Sequence, residues 1–322
     1  MPQWRRWGKL IAKVLGGVIV MFAGLSYVLF FHRTTLPDVQ VRQRVAPTFS
    51  AVPAMSACWV ETGQMFASTP FAFTMSGILV HHPAGDLLID TGISSHFDDE
   101  ISGYPFLTRL RGELMLGPLT PDVPIPVLLR LMGEDPSKLR WVLISHGHLD
   151  HTGGLMDLPR VPVLLPQEEL DFMADARNQE LGFVIAAHSR LLHDGRAHPI
   201  EFERRPYEMF DESADLYGDG SVVVVPLRGH TPGSVGVFVN LSPEKRMFHV
   251  GDAVDDARGF EDRVGKSLML QKSDNDPARA IQIVGVLYNL HRMLPDLVII
   301  PAHGRSEYKK FFPGGALSCT KP

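Results

Sequence analysis

One ten-residue segment, SHGHLDHTGG at Ser145–Gly154, constrains this chain more than any other. It follows the apolar run Trp141–Ile144 and packs three imidazoles and a carboxylate (His146, His148, Asp150, His151) into six positions. A strand end leading into a tight loop can turn alternate side chains towards one point. A polar cluster this dense is costly to bury uncompensated, and a bound metal ion is the usual compensation. Neutral imidazole and carboxylate are the donors that a borderline cation such as zinc prefers. A merely polar surface loop leaves the spacing unexplained.

Three later segments share the same order of parts. GHTPGS (Gly229–Ser234) follows the run Ser221–Leu227, HVGD (His249–Asp252) ends the run Met247–Val250, and PAHG (residues 301–304) follows Leu297–Ile300. His230, Asp252 and His303 therefore each stand just past an apolar β-type run, beside a glycine that lets the backbone turn sharply. Taken singly, such a histidine is more often a satisfied loop residue than a ligand. Four segments built alike are harder to dismiss.

In these motifs and their order, from about Phe71 to Arg305, the chain resembles the metallo-β-lactamase superfamily of metallohydrolases. The resemblance implies an α/β fold, a four-layer αββα sandwich in which two mixed sheets face each other under helices. It implies one metal ion held by His146, His148 and His230, a second by Asp150, His151 and His303, and Asp252 bridging the two. Asp90, in LLIDTG, matches a position that supports the metal ligands from behind, although a turn residue ahead of Gly92 fits the spacing equally well. The implied chemistry is hydrolysis by a hydroxide formed between two divalent ions, most readily Zn²⁺, about 3.5–4 Å apart. Asp150 and Asp252 would be its catalytic carboxylates, with Asp150 passing a proton to the leaving group. No GxSxG, GxxxxGK[ST] or strand-linked GxGxxG offers another chemistry.

Within the superfamily, Asp252 speaks against true β-lactamases, which usually lack the bridging aspartate. The order of segments is most similar to the N-acyl-homoserine lactonase group, which implies a lactone as substrate. A thioesterase of the glyoxalase II kind or a phosphodiesterase is the alternative, and a non-catalytic, metal-stabilised binding domain is the reading from another class. One position departs from the lactonase pattern. Where those enzymes often carry a tyrosine three places after the bridging aspartate, this chain has Asp255. Between Asp90 and Trp141, Ile101, Tyr104, Phe106, Leu107, Leu110 and Leu114–Leu116 suit either an apolar wall for an acyl chain or an ordinary core-facing helix. The remaining histidines read as structural: His81 and His82 at an exposed strand end, His188, His193 and His198 without a carboxylate partner, His249 packed in a strand, His291 on a helix.

Val14–Phe31 is an 18-residue uncharged run after Arg5, Arg6, Lys9 and Lys13. As a helix it would span about 27 Å, close to the ~30 Å hydrocarbon core. The charge bias predicts a transmembrane anchor over 1–33 with the remainder on the extracytoplasmic (periplasmic) side, and secretion after signal cleavage is the competing account. Residues 34–54 read as a linker, 55–312 as the hydrolase domain and 313–322 as a loose tail. The formal charge is −5, and residues 1–33 hold five cationic side chains and no acid, so the rest carries −10. That balance argues against a nucleic-acid partner and for a small-molecule substrate. Cys58 and Cys319 are the only cysteines. Two positions do not decide whether they pair. Strands are predicted near Phe71–His81, Asp86–Ile89, Trp141–Ile144, Val161–Leu165, Ser221–Leu227, Val235–Val239, Met247–Val250 and Leu297–Ile300, and helices at Ile125–Leu131, Glu168–Ala174 and Pro277–Met293, the last after an Asp276–Pro277 start signal. Asp175–Tyr207 has no clear assignment.

Overall fold

In the central strands, alternate residues look in opposite directions, and here both directions are apolar. Strand β2 (Phe73–His81) sends Ile78 and Val80 one way and Leu79 the other, all fully buried. Strand β8 (Val222–Pro226) does the same with Val222 and Val224 against Val223 and Val225. Strands buried on both faces must lie between other layers. The computed structural model of the chain describes residues 13–18, 20–21, 24–25, 27–29, 31–47, 53–65, 73–110, 123–180, 183–268 and 270–322, and it has that layering.

Among the described residues, one sheet has the order β12-β1-β2-β3-β4-β5-β6 and the other β11-β10-β9-β8-β7. The first is built from β1 (Ser56–Met65), β2, β3 (Leu87–Ile89), β4 (Trp141–Leu143), β5 (Val163–Leu165), β6 (Ala197–Pro199) and β12 (Cys319–Thr320). The second comprises β7 (Ala214–Asp215), β8, β9 (Val235–Asn240), β10 (Arg246–His249) and β11 (Val298–Ile300). Both are mixed: β3 to β6 run parallel while β1 to β3 alternate, and β10 pairs parallel with β11 but antiparallel with β9. Trp59, Ile78, Val80, Ile89 and Leu143 from one sheet meet Val224, Val237, Val239, Met247 and Ile300 from the other, which forms the inner core. The helices Ile125–Leu131 and Gln167–Ala174 cover the first sheet through Leu128, Leu129, Leu170 and Met173. The helix Pro277–Met293 covers the second through Val284, Leu287 and Leu290. Its start follows the sequence signal, with Asp276 accepting from the Arg279 amide and proline in the first turn.

Parallel running of β3 and β4, and of β8 and β10 through β9, brings their C-terminal ends to one edge of the sandwich. The Val235 amide donates to the Ser145 carbonyl, joining the two sheets at that edge.

Two terminal segments differ from expectation. The C-terminal residues are not loose: β12 pairs with β1, and Cys319 forms a disulfide with Cys58, 261 positions away. Residues 34–47 are not a free linker either. Thr35 bridges to Val264, Val45 bridges to Glu208, and Leu36 is buried with Phe238, Phe248 and Leu287. Residues 48–52 of the expected linker lie outside the described residues. Among the described residues no helix is long and apolar enough to cross a membrane, so the expected transmembrane helix is not shown; part of Val14–Phe31 lies outside them.

Because the Cys58–Cys319 bridge closes a loop of most of the domain, replacing both cysteines with alanine is expected to cost about 2–5 kcal/mol of stability. Chemical denaturation of the oxidised protein and the double variant checks this, and equal midpoints would show that β12 pairing alone holds the terminus.

Candidate metal centre

Each chemistry-bearing side chain leaves the end of a strand. The loop after β4 supplies His146, His148, Asp150 and His151, the turn after β8 supplies His230, the turn after β10 supplies Asp252, and the turn after β11 supplies His303. The four imidazoles His146, His148, His151 and His230 are buried, and Asp150, Asp252 and His303 are 12–17% exposed at the side chain. The seven fall into two sets. Ligating atoms of His146, His148, His230 and Asp252 lie within 4.8 Å of one another, and so do those of Asp150, His151 and His303.

Asp252 stands between them with one oxygen for each set. Its Oδ2 is 3.8 Å from His146 Nε2 and 3.6 Å from His230 Nε2, whereas Oδ1 is 3.4 Å from His151 Nε2 and 3.3 Å from His303 Nε2. Asp150 Oδ2 lies 3.3 Å from His303 Nε2 and 3.8 Å from His151 Nε2. His148 turns Nδ1 inward, 3.1 Å from His146 Nε2 and 3.0 Å from His230 Nε2.

The outward nitrogens fix which ring atom faces in. His151 Nδ1 donates to Asp90 Oδ2 at 2.9 Å, His303 Nδ1 to the Thr74 carbonyl at 2.9 Å, and His230 Nδ1 to Asp274 Oδ1 at 2.9 Å. In each case the second nitrogen is left facing the interior, which is the usual way a ligating histidine is oriented. Asp90 also accepts from the Ser145 amide and hydroxyl, both at 2.7 Å, so it holds the start of the ligand loop as well as His151. It does so in the left-handed backbone region (φ 55°), which aspartate tolerates better than most residues.

Buried His151 Nε2 and Asp252 Oδ1 have no hydrogen-bond partner. Orphaned polar atoms are costly to bury, and here both face the interior of the donor set. Nitrogen and carboxylate donors in that arrangement fit a zinc-like divalent ion in each set. The electrostatics agree. Burial and neighbouring imidazoles hold His146 and His148 well below the usual histidine range, and burial with the Lys266 ammonium lowers His230, so all three offer neutral rings. Against its burial, Asp90, Asp150 and Asp252 raise His151 well above that range. Against its own burial, Asp252 and Asp150 raise His303 to about 9.

A superfamily model, Metallo-beta-lactamase superfamily, matches residues 72–303. The chain belongs to that superfamily. It is similar to the N-acyl homoserine lactonase AttM of Agrobacterium fabrum (strain C58 / ATCC 33970), at 24% identity over 242 residues, which cover 72% of this chain and 82% of that protein. The N-acyl homoserine lactonase AiiA of Bacillus thuringiensis subsp. kurstaki is 24% identical over 187 residues, covering 58% and 66%. Among solved structures, an N-acyl homoserine lactone hydrolase with N-hexanoyl-L-homoserine at its catalytic metal centre aligns with a TM-score of 0.56 and 18% identity, over 79% of this chain and 95% of that one. The dizinc quorum-quenching lactonase AidC aligns with a TM-score of 0.52 and 14% identity, over 84% and 90%. The chain is thus a metal-dependent hydrolase of the metallo-β-lactamase superfamily with lactonase relatives.

Sequence reasoning missed several supports of the centre. Glu169 is fully buried and accepts from the Gly147 amide (2.6 Å), the Thr231 hydroxyl (2.7 Å) and the Gly233 amide (2.9 Å), tying the loop of His146 and His148 to the turn of His230. Gly147 and Gly233 have to be glycine for this approach: a Cβ on Gly233 would lie 2.5 Å from the Glu169 amide nitrogen, and one on Gly147 2.4 Å from Met173 Cγ. Its signal was a carboxylate on the same helix face as Leu170 and Met173. Lys266 and Asp274 escaped notice because nothing in their neighbourhood repeats. Two histidine readings also change. His188 is buried with a carboxylate partner, Glu100 Oε2 at 3.1 Å, and reaches Thr152 Oγ1 at 2.8 Å; the partner comes from 88 positions away. His82 is buried rather than exposed, stacked on Tyr217 and paired with Asp219. His249 is buried behind Asp90 and lowered to about 4 by burial.

Metal ligation requires neutral imidazole, while His303 of the metal-free protein holds its proton up to about 9. Metal uptake is therefore expected to release protons, and more of them near pH ~7 than near pH ~10, where His303 has already lost its own. Titration of the metal-free protein in a pH-stat measures the release, and equal values at both ends would count against His303 as a ligand.

Proposed function

We propose that this hydrolase opens an ester-like ring, a lactone bearing an apolar acyl group, with two divalent metal ions, best matched by Zn²⁺, held by His146, His148, His230 and by Asp150, His151, His303, with Asp252 common to both. The observation that carries the reading is Asp252 itself, whose two oxygens are divided between two otherwise separate donor sets. The lactonase relatives support the substrate class. When bound, such a pair of ions lowers the pKa of a shared water from ~15.7 towards neutrality and polarises a carbonyl.

The chain's own residues do the rest. Asp252 fixes the spacing of the two sets, and Asp90, Thr74 and Asp274 fix the tautomers of His151, His303 and His230. Asp150, 14% exposed, is the carboxylate assigned to take a proton and return it to a leaving alkoxide. Half-buried Phe172 and Phe183 lie 6.2 and 5.6 Å from the His148 ring, and Phe73 lies 5.6 Å from that of His303. These rings suit an acyl chain beside the metals and exclude water from it. Phe106 and Leu107 of the expected apolar wall are instead 72% and 74% exposed, and Leu114–Leu116 lie outside the described residues.

The anchoring reading rests on the sequence run Val14–Phe31 and its basic flank. It is supported by exposed Val14, Leu15, Val20, Met21 and Leu25, and an extracytoplasmic domain, anchored or secreted, accords with the Cys58–Cys319 disulfide.

Zinc-loaded protein is expected to hydrolyse an acyl-homoserine lactone with kcat/KM at least about tenfold above a matched thioester or phosphodiester, a difference of ~1.4 kcal/mol in the barrier. A thioester or phosphodiester preference in the same panel overturns the lactone reading but leaves the metal centre standing. Asp252→Ala should lose metal and about 10²-fold or more of kcat/KM, since even residues behind the ligands are worth 10–100-fold. Phe183→Ala should raise KM for a ten-carbon acyl chain roughly tenfold and leave a four-carbon chain nearly unchanged. Equal shifts for both chains would remove Phe183 from the acyl site.

A further inference from the structure

The loop that delivers Asp252 carries two more carboxylates, and both are partly or wholly withdrawn from water. Asp255 is 9% exposed and Asp256 is 35% exposed at the side chain. One of the cations set against them, Arg33, comes from a distant part of the chain. Arg33, 11% exposed, donates Nη1 to Asp256 Oδ1 at 3.1 Å and Nη2 to Asp256 Oδ2 at 2.9 Å, and its Nη2 is 3.5 Å from Asp255 Oδ2. Lys266 Nζ is 2.6 Å from Asp274 Oδ1, the same oxygen that receives His230 Nδ1.

Arg33 is held in place by its own backbone. The Leu36 amide donates to the Arg263 carbonyl, the Gly265 amide donates to the Thr34 carbonyl, and the Leu36 side chain is buried. The two carboxylates do not depend on Arg33 equally. Asp256 has a second cation, Arg258, with Nη2 at 2.9 Å. Asp255 feels Lys266 and Arg33, and Lys266 is already engaged by Asp274. Its Oδ2 is buried without a hydrogen bond. Loss of Arg33 would thus leave the buried Asp255 carboxylate beside Asp252 and Asp256 with Lys266 as its one remaining cation. A carboxylate stranded in this way either takes up a proton or is carried to water by its loop, and in both cases the two-point hold of Arg33 on Asp256 is lost. Asp252, three residues earlier, would move with that loop.

We infer that Arg33 is a positioning residue of the metal centre, which holds Asp255 and Asp256 so that Asp252 stays aimed at both donor sets. Metal retention in this chain then depends on a residue that precedes the hydrolase domain. Asp255 is turned towards this clamp. The inference rests on reading the seven side chains as metal ligands.

Four full-length variants test it: Arg33→Met, Arg33→Lys, Asp255→Asn and the double variant Arg33→Met/Asp255→Asn. Zinc affinity is measured by competition with a chromophoric chelator, and the unfolding midpoint of each metal-free form is measured separately. Arg33→Met should weaken zinc binding about 10–100-fold, the range for residues acting through a ligand. Arg33→Lys should recover part of the loss, because lysine restores the charge but not the two-point fork. The double variant should bind zinc more tightly than Arg33→Met, because the stranded carboxylate is gone. Wild-type affinity in Arg33→Met overturns the inference, and so does equal impairment of Arg33→Met and the double variant, which would reduce Arg33 to a pin for the N-terminal segment. Should Arg33→Met fail to fold, Arg33→Lys against wild type makes the same comparison, with unchanged affinity overturning the inference. If the wild-type protein itself binds no zinc, it is the metal-centre reading that falls, a result distinct from either.

Discussion

The structure turns on a problem of charge. Five imidazoles and two carboxylates converge at one edge of an apolar sandwich, where each would be unstable alone. Asp252 offsets this by facing both donor sets, and its charge raises His151 and His303 against their burial. The same carboxylate is the one that two cations would share.

Precision at that edge comes from pairing every functional side chain with a fixed backbone feature. The ligands sit within a few residues of strand ends, so the sheets themselves set their spacing. Asp90 grips both Ser145 and His151 and so braces one ligand loop at two points, while Glu169 grips Gly147, Thr231 and Gly233 and connects two ligand loops far apart in sequence. Glu169 is pushed up to about 7 by its burial, against three donors that favour the charged form. The apolar body of the sandwich supplies rigidity, and a few buried carboxylates convert it into alignment.

Much of this was legible in the sequence because it is periodic or local. Runs of valine, isoleucine and leucine marked eight of the strands, and the start of Pro277–Met293 was written in Asp276–Pro277. The ligand motifs stood out because each adjoins a strand and a glycine. What escaped depends on pairings the sequence does not encode locally. Strand β1, SACWVETGQM, mixes polar and apolar residues and carries a bulge at Glu61/Gly63, so no two-residue period shows. Cys319 looks like tail until β12 brings it beside Cys58. His188 lacked a visible partner because Glu100 arrives from another element.

The N-terminal segment carries that lesson to the site. Residues 33–47 have the composition of a linker, yet Leu36 fills the outer core of the second sheet, Arg44 pairs with buried Glu208, and Arg33 meets Asp255 and Asp256. A segment whose side chains complete both a core and a charge network has more to do than span a distance. It ties the basic, apolar N-terminal region of the chain to the loop of Asp252. Arg33 makes that tie through two hydrogen bonds to Asp256 and a charge contact with Asp255, three residues beyond Asp252.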